Sequence, residues 1–184
     1  REVALKSSRA VVRLSGNTMK ALHREEEFDE QLEDLKDEAS RLSSLLADHP
    51  DLASAGYVES AFQEFSEVGI TLSILERDDV PSPDDLGVES VPYLLALGDT
   101  VGELRRFSLD ELKRGNVMRA NYFLDRMEDL YTALMRFDYP DAIVAIRRKQ
   151  DVARSLLEKT RGEVAVAASA RNLQEKIDDL LKKM

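Results

Sequence analysis

Two pairs of acids stand where acids are energetically expensive. The stretch AFQEFSEV at residues 61–68 carries Glu64 and Glu67 three residues apart, beside a stripe of Phe62, Phe65 and Val68. Side chains three or four apart are neighbours on one helix face. Residues 91–104 read VPYLLALGDTVGEL, a nearly apolar segment interrupted by Asp99 and Glu103, four apart and so again on one face. A segment this apolar has to be mostly buried, and a buried carboxylate is costly unless it is paired or bound to a cation. Gly98 and Gly102 share the same spacing of four and would let another backbone come close. If the two helices pack antiparallel, four carboxylates converge without a histidine among them. Such an all-oxygen set suits Mg²⁺ or Mn²⁺ rather than zinc or iron. A bound hard cation can activate water and stabilise a phosphoryl transition state. A plainer arrangement fits the same spacing. Glu64 and Glu67 would then be rim residues, and Asp99 and Glu103 would pair with arginines such as Arg105 or Arg106. Ion-pair networks perturb carboxylates as metal sites do, so spacing leaves both open.

The elements that must position these acids are helices. Apolar residues recur with a period near 3.6, and no window alternates as a strand would. Leu5, Ser8, Val12, Ser15, Met19 and Leu22 form one stripe; Leu32, Leu35, Ala39, Leu42 and Leu46 a second; Val58, Ala61, Phe62, Phe65, Val68, Leu72 and Leu75 a third. Pro50, Pro92 and Pro140 read as helix starts, because proline is tolerated in a first helical turn. The pattern predicts about seven helices, at 2–25, 27–47, 51–77, 90–114, 117–136, 141–161 and 163–182. Gly115-Asn116 is a candidate cap and turn. Gly162 either separates the last two helices or kinks one long one. Residues 78–89, acidic and bearing Pro81 and Pro83, read as a surface loop. The expectation is an all-α fold of antiparallel neighbours in a single domain, 1–184.

Composition removes other chemistries. With 184 residues there is one domain's worth of chain. No cysteine occurs, so zinc-thiolate sites, iron–sulfur clusters, disulfides and thiol nucleophiles are excluded. Two histidines, His23 and His49, cannot make a His-rich metal site. They are expected at a helix end and a helix start, as surface or capping groups. No apolar run approaches the roughly 20 residues of a membrane span, and no export signal is visible, so the chain is expected to be cytoplasmic. Walker, glycine-rich phosphate and Ser-His-Asp motifs are absent. The net charge of −10 argues against nucleic acid as a partner of the whole surface. One face can still be basic. Arg147, Arg148, Lys149, Arg154, Lys159 and Arg161 make the sixth expected helix the most basic. Of these, Arg147, Arg154 and Arg161 share a face, and Arg105 and Arg106 directly follow the second acidic pair. Arg105, Arg106, Arg147, Arg148 and Arg154 are therefore candidates for phosphate contact along an RNA strand. Intersubunit ion pairs would use the same residues. Tyr57, Tyr93 and Phe107 could stack on bases or belong to the core.

Several stretches together resemble the translin/Trax family, in its archaeal Trax-like branch: ALKSSRAVVRLSGNTMKALHR, AGYVESAFQEFSE, VPYLLALGDTVGELRR, and FDYPDAI followed by RRKQDVARSLLEKTRGE. The likeness covers nearly the whole chain and weakens in the tail VAVAASARNLQEKIDDLLKKM. It implies a roughly seven-helix fold and a closed octameric shell that binds single-stranded nucleic acid inside. Trax-type subunits are Mg²⁺-dependent endoribonucleases whose catalytic acids lie in a Q-E-[YF]-x-E element and a D-x-x-G-E-L element. Gln63-Glu64-Phe65-Ser66-Glu67 matches the first, and Asp99-Thr100-Val101-Gly102-Glu103-Leu104 the second. All four acids, Glu64, Glu67, Asp99 and Glu103, are therefore expected as catalytic Mg²⁺ or Mn²⁺ ligands. The expected partners are single-stranded RNA, single-stranded DNA and further copies of the chain, in an octamer. Apolar residues on more than one side of the terminal helices, Val11, Val12, Ile143, Val144 and Ile146, also point to interfaces. The alternative within the family is a non-catalytic, translin-like single-stranded RNA- or DNA-binding protein. Outside it, an all-α nucleoside triphosphate pyrophosphohydrolase would want its second acidic pair three apart, not four.

Overall fold

Helix after helix forms because each stretch between the prolines and glycines has one or two apolar faces to bury. The computed structural model describes residues 1–140 and 144–182. Its helices are α1 (Glu2–Arg24), α2 (Asp29–Ala47), α3 (Gly56–Glu76), the single turn α4 (Pro83–Leu86), α5 (Ser90–Lys113), α6 (Val117–Leu134) and α7 (Ile146–Leu181). A short 3₁₀ turn, Pro50–Leu52, precedes α3. No strand occurs among the described residues, and the protein is all-α.

Packing runs as a chain of neighbours. α2 lies on α1, α1 on α3, α3 on α5, and α5 on both α6 and α7, which also pack on each other. Two apolar cores result. One gathers Val11, Leu35, Leu42, Val58 and Val68 between α1, α2 and α3. The other gathers Ile70, Ile74, Val101, Leu104, Phe123, Met127, Leu134 and Ile146 around α5. α3 contributes to both, so it buries two faces rather than one stripe. That is why Ile70 and Ile74 are buried while Leu72 and Leu75, on the expected stripe, are only half-buried.

Several expected boundaries shift for identifiable reasons. The two last helices are one: α7 runs through Gly162 without a break. Thr160 and Val164, four apart on either side of that glycine, are both buried, and their packing holds the helical register across it. α7 begins at Ile146, and Val144 and Ala145 precede it as non-helical chain. The expected start at 141, and Ile143 with it, lie outside the described residues. Pro50 opens the 3₁₀ turn, and α3 itself starts later than expected, at Gly56. Inside the 78–89 loop, Ser82 and Asp85 form a capping box around α4. Gly115, with φ at +77°, ends α5, and the Asn116 side chain caps α6 by accepting the Arg119 N–H at 3.3 Å. The buried face of α1 is rotated by one position. Val11 is fully buried and Val12 is 38% exposed; Val144 and Ile146 are buried as well. Of the described residues expected to mark interfaces, only Val12 is exposed. No helix among the described residues is long and apolar enough to cross a membrane.

Candidate acidic site

α3 and α5 lie against each other, and the crossing is marked by an amide. Gln63 of α3 donates to Asp99 Oδ2 of α5 at 2.5 Å. With the helices in this register, Glu64 and Glu67 on α3 meet Asp99 and Glu103 on α5. Glu64, Glu67 and Glu103 line one cavity of about 210 Å³ together with Ser15, Gly16, Met19 and Lys20 of α1 and with Arg106. The two acidic pairs therefore face one another rather than opposite sides of the subunit.

Each acid feels the others. Burial pushes the Glu67 carboxyl up to about 8, with further contributions from the charges of Asp99, Glu64 and Glu103. Burial and the Asp99 charge raise Glu64 in the same direction, and the Lys149 ammonium partly offsets this. Like charges sharing a low-dielectric site disfavour joint ionisation.

Two basic side chains from other helices close the site. Lys149, in the first turn of α7, places its ammonium on Asp99 Oδ1. His23, in the last turn of α1, bonds through Nε2 to Glu103 Oε2. Its side chain is 2% exposed and its ring stacks on Phe107, with centroids 4.0 Å apart. His23 is thus a buried member of the acidic site, not the surface or capping residue expected of it. Its other nitrogen, Nδ1, is buried without a hydrogen-bond partner among the described residues. The signal that could have found it is helical spacing: Gly16, Met19 and His23 fall at i, i+3 and i+7, on the α1 face that lines the cavity.

The chemistry of the donor set fits a hard divalent cation. It is all carboxylate, it is shared between two rigid helices, and its mutual repulsion is what a cation would relieve. As the side chains stand, however, no three acidic or imidazole groups among the described residues are placed to share one ion. Asp99 is engaged by Lys149 and Gln63, and Glu103 by His23.

The candidate phosphate-binding arginines are scattered by comparison. Arg106 is exposed and lines the cavity beside Glu64, Glu67 and Glu103. Arg105, next to it in sequence, points to α7, where it forks onto Glu163 at 2.7 and 3.0 Å and donates to Thr160 at 2.6 Å. Arg147 sits 3.3 Å from Asp138, and Arg154 donates to the Tyr131 hydroxyl at 2.9 Å. Arg161 pairs with Glu128 of α6, so this face of α7 is fastened to the protein's own residues. Arg148 is exposed. Of the aromatic candidates, Phe107 is packed between His23 and Phe123, and Tyr93 donates its hydroxyl to the Pro81 carbonyl.

Comparison with known proteins agrees with this architecture. The model of the Translin family matches residues 1–164. Uncharacterized protein MJ0175 of Methanocaldococcus jannaschii is 34% identical over 180 residues, which cover 95% of this chain and 79% of that protein. Among solved structures, the AfC3PO–duplex RNA complex matches with a TM-score of 0.84 and 26% identity over 93% of this chain and 90% of the other. AfC3PO in a second crystal structure matches at 0.80 and 30% identity, with the same coverage. Apo-NeC3PO matches at 0.80 and 25% identity over 90% and 88% of the two chains.

Proposed function

The chain belongs to the Translin family, and from that premise we propose that it is a Mg²⁺-dependent endoribonuclease that binds single-stranded RNA inside an oligomeric shell. One observation carries the catalytic part. Glu64, Glu67 and Glu103 line one opening with Asp99 close enough to act on them, and burial, reinforced by the charges of Asp99, Glu64 and Glu103, holds Glu67 up at about 8. A chain that only bound RNA would have no use for such a cluster next to phosphates. The likeness to AfC3PO bound to duplex RNA supports RNA as the ligand class. Mn²⁺ is the alternative ion, and single-stranded DNA a further ligand of the same surface.

In this mechanism Glu64, Glu67, Asp99 and Glu103 would hold one or two ions. The bound ion supplies Lewis acidity toward the phosphodiester. The protein's own groups do the rest. His23 fixes the orientation of Glu103, as a partner of a ligating carboxylate does. Gln63 fixes Asp99 from the α3 side. Arg106 at the mouth of the cavity is placed to take a phosphate oxygen, which would locate the strand over the acids.

A binding-only protein of translin type is the second reading. What favours it is that Asp99 and Glu103 already have cationic or imidazole partners within the chain. The experiment that separates the two is incubation of labelled RNA, single-stranded in one arm and duplex in the other, with Mg²⁺ and then with EDTA. Cleavage of the single strand that stops on chelation supports the nuclease. Retention of intact RNA in a stable complex under both conditions supports the binding-only protein.

A further inference from the structure

Lys149 occupies a place that a divalent cation would compete for. Its carbon stem lies directly on the α5 backbone: a Cβ built on Gly98 would stand 2.8 Å from Lys149 Cβ, 3.3 Å from Cγ and 3.4 Å from Cδ. Only glycine at 98 leaves room for that approach. The stem delivers the ammonium to Asp99 Oδ1, while Gln63 takes Oδ2, so both oxygens of Asp99 are engaged by protein groups. The pair is largely covered, with the two side chains 27% and 29% exposed. The ammonium also lowers the cost of ionising Glu64 and Glu67, against the effect of the surrounding acids. It is the only lysine among the described residues bonded to any of the four acids.

We propose that Lys149 is a built-in counter-ion of the acidic cluster that competes with the divalent cation for Asp99. Resting on the metal-site reading of the four acids, this deepens it: the protein carries its own monovalent occupant, and loading requires the ammonium to withdraw. In the metal-free protein Lys149 neutralises part of the repulsion and holds α7 to α5 across Gly98. When an ion enters, it and the ammonium repel each other across Asp99. At contact distance their repulsion in a partly buried site is several-fold larger than in water. The ammonium therefore lowers the affinity for the ion, and its removal raises it.

The test is a Mn²⁺ titration of the metal-stripped full chain, read by the electron paramagnetic resonance of the free ion. Lys149→Met keeps the stem over Gly98 and deletes the charge. Lys149→Gln is the second charge-free variant, should the first fold poorly by circular dichroism. Lys149→Arg keeps the charge. The expected result is at least about tenfold tighter Mn²⁺ binding in Lys149→Met or Lys149→Gln, and near wild-type affinity in Lys149→Arg. The gain should vanish when Asp99→Asn is added, which ties the coupling to this pair. A merely structural role for Lys149 would weaken binding in every variant, not strengthen it. Equal or weaker affinity in the charge-free variants overturns the competition while leaving the metal site standing. No Mn²⁺ binding at millimolar concentration in wild type and variants alike overturns both.

Discussion

Glu67 is the residue through which the acidic site should act on stability. Burial, then the charges of Asp99, Glu64 and Glu103, raise its carboxyl from 4.5 to about 8. The unfolded chain therefore loses this proton at lower pH than the folded one. Stability falls as pH rises from about 4.5 to about 8 and levels off above, because the unfolded state binds fewer protons in that window. Glu64, raised in the same direction, adds to the slope. Glu67→Gln should flatten this part of the profile and raise the melting midpoint at pH 8 in EDTA by roughly 2–4 °C, the shift that ~1 kcal/mol produces in a chain of this size. Melting curves between pH 5 and pH 8.5 give the comparison. A variant that melts lower than wild type at pH 8 would mean the carboxylate is paired, not crowded. That each acidic pair shares one helix face was legible, because i, i+3 and i, i+4 spacing fixes it whatever else the helices do. Their partners were not. The His23–Glu103 contact spans 80 residues and Lys149–Asp99 spans 50, and no local spacing encodes such a pairing.

At the scale of elements, α5 and α7 are joined at Gly98, Lys149, Arg105 and Glu163. Alanine in place of a helical glycine ordinarily stabilises by roughly 0.5–1 kcal/mol. Gly162→Ala, mid-helix with open space around the new methyl, should follow that rule. Gly98→Ala should invert it. The methyl would meet the Cβ of Lys149, which is fixed to the helix and cannot swing away, so α7 must shift and the ammonium moves off Asp99. Thermal melts of the two variants should move in opposite directions. A Gly98→Ala protein as stable as Gly162→Ala would show that the two helices are not in close contact. The helices were readable from periodicity, most fully in α2, where Leu35, Ala39, Leu42 and Leu46 are all buried as expected. The readings failed where tertiary packing outweighed local pattern. Gly162 is held helical by its buried neighbours Thr160 and Val164, and α1 turns Val11 rather than Val12 inward against α2 and α3. Arg105 illustrates the same limit. It follows the acids directly in sequence, and packing turns its side chain to Glu163 of α7.

The whole molecule is acidic, at −10, yet it must present phosphate-binding groups somewhere if it handles RNA. Enclosure in an oligomer would reconcile the two, with Arg106 and the openings over the acids turned inward and the acidic surface outward. Exposed apolar side chains remain on the monomer: Val3 and Val12 on α1, Val152 early on α7, and Val166, Leu173 and Ile177 along its second half. Contiguous apolar patches mark association surfaces, and these side chains are the candidates for one. An octamer is the expected state by light scattering at micromolar protein, in high salt as in low. A monomer under both conditions would mean that the chain forms no shell.

If the four carboxylates cut RNA and do not merely face one another, single substitutions that keep their size will show it. Glu64→Gln and Glu103→Gln proteins should be compared with wild type for cleavage of labelled single-stranded RNA in Mg²⁺ and for gel-shift affinity in EDTA. Cleavage should fall by at least about a hundredfold in both variants. Affinity should be unchanged or tighter, since a negative charge near the phosphates is gone. Wild-type cleavage rates in both variants would contradict it and leave the acidic cluster a structural feature of an RNA-binding shell.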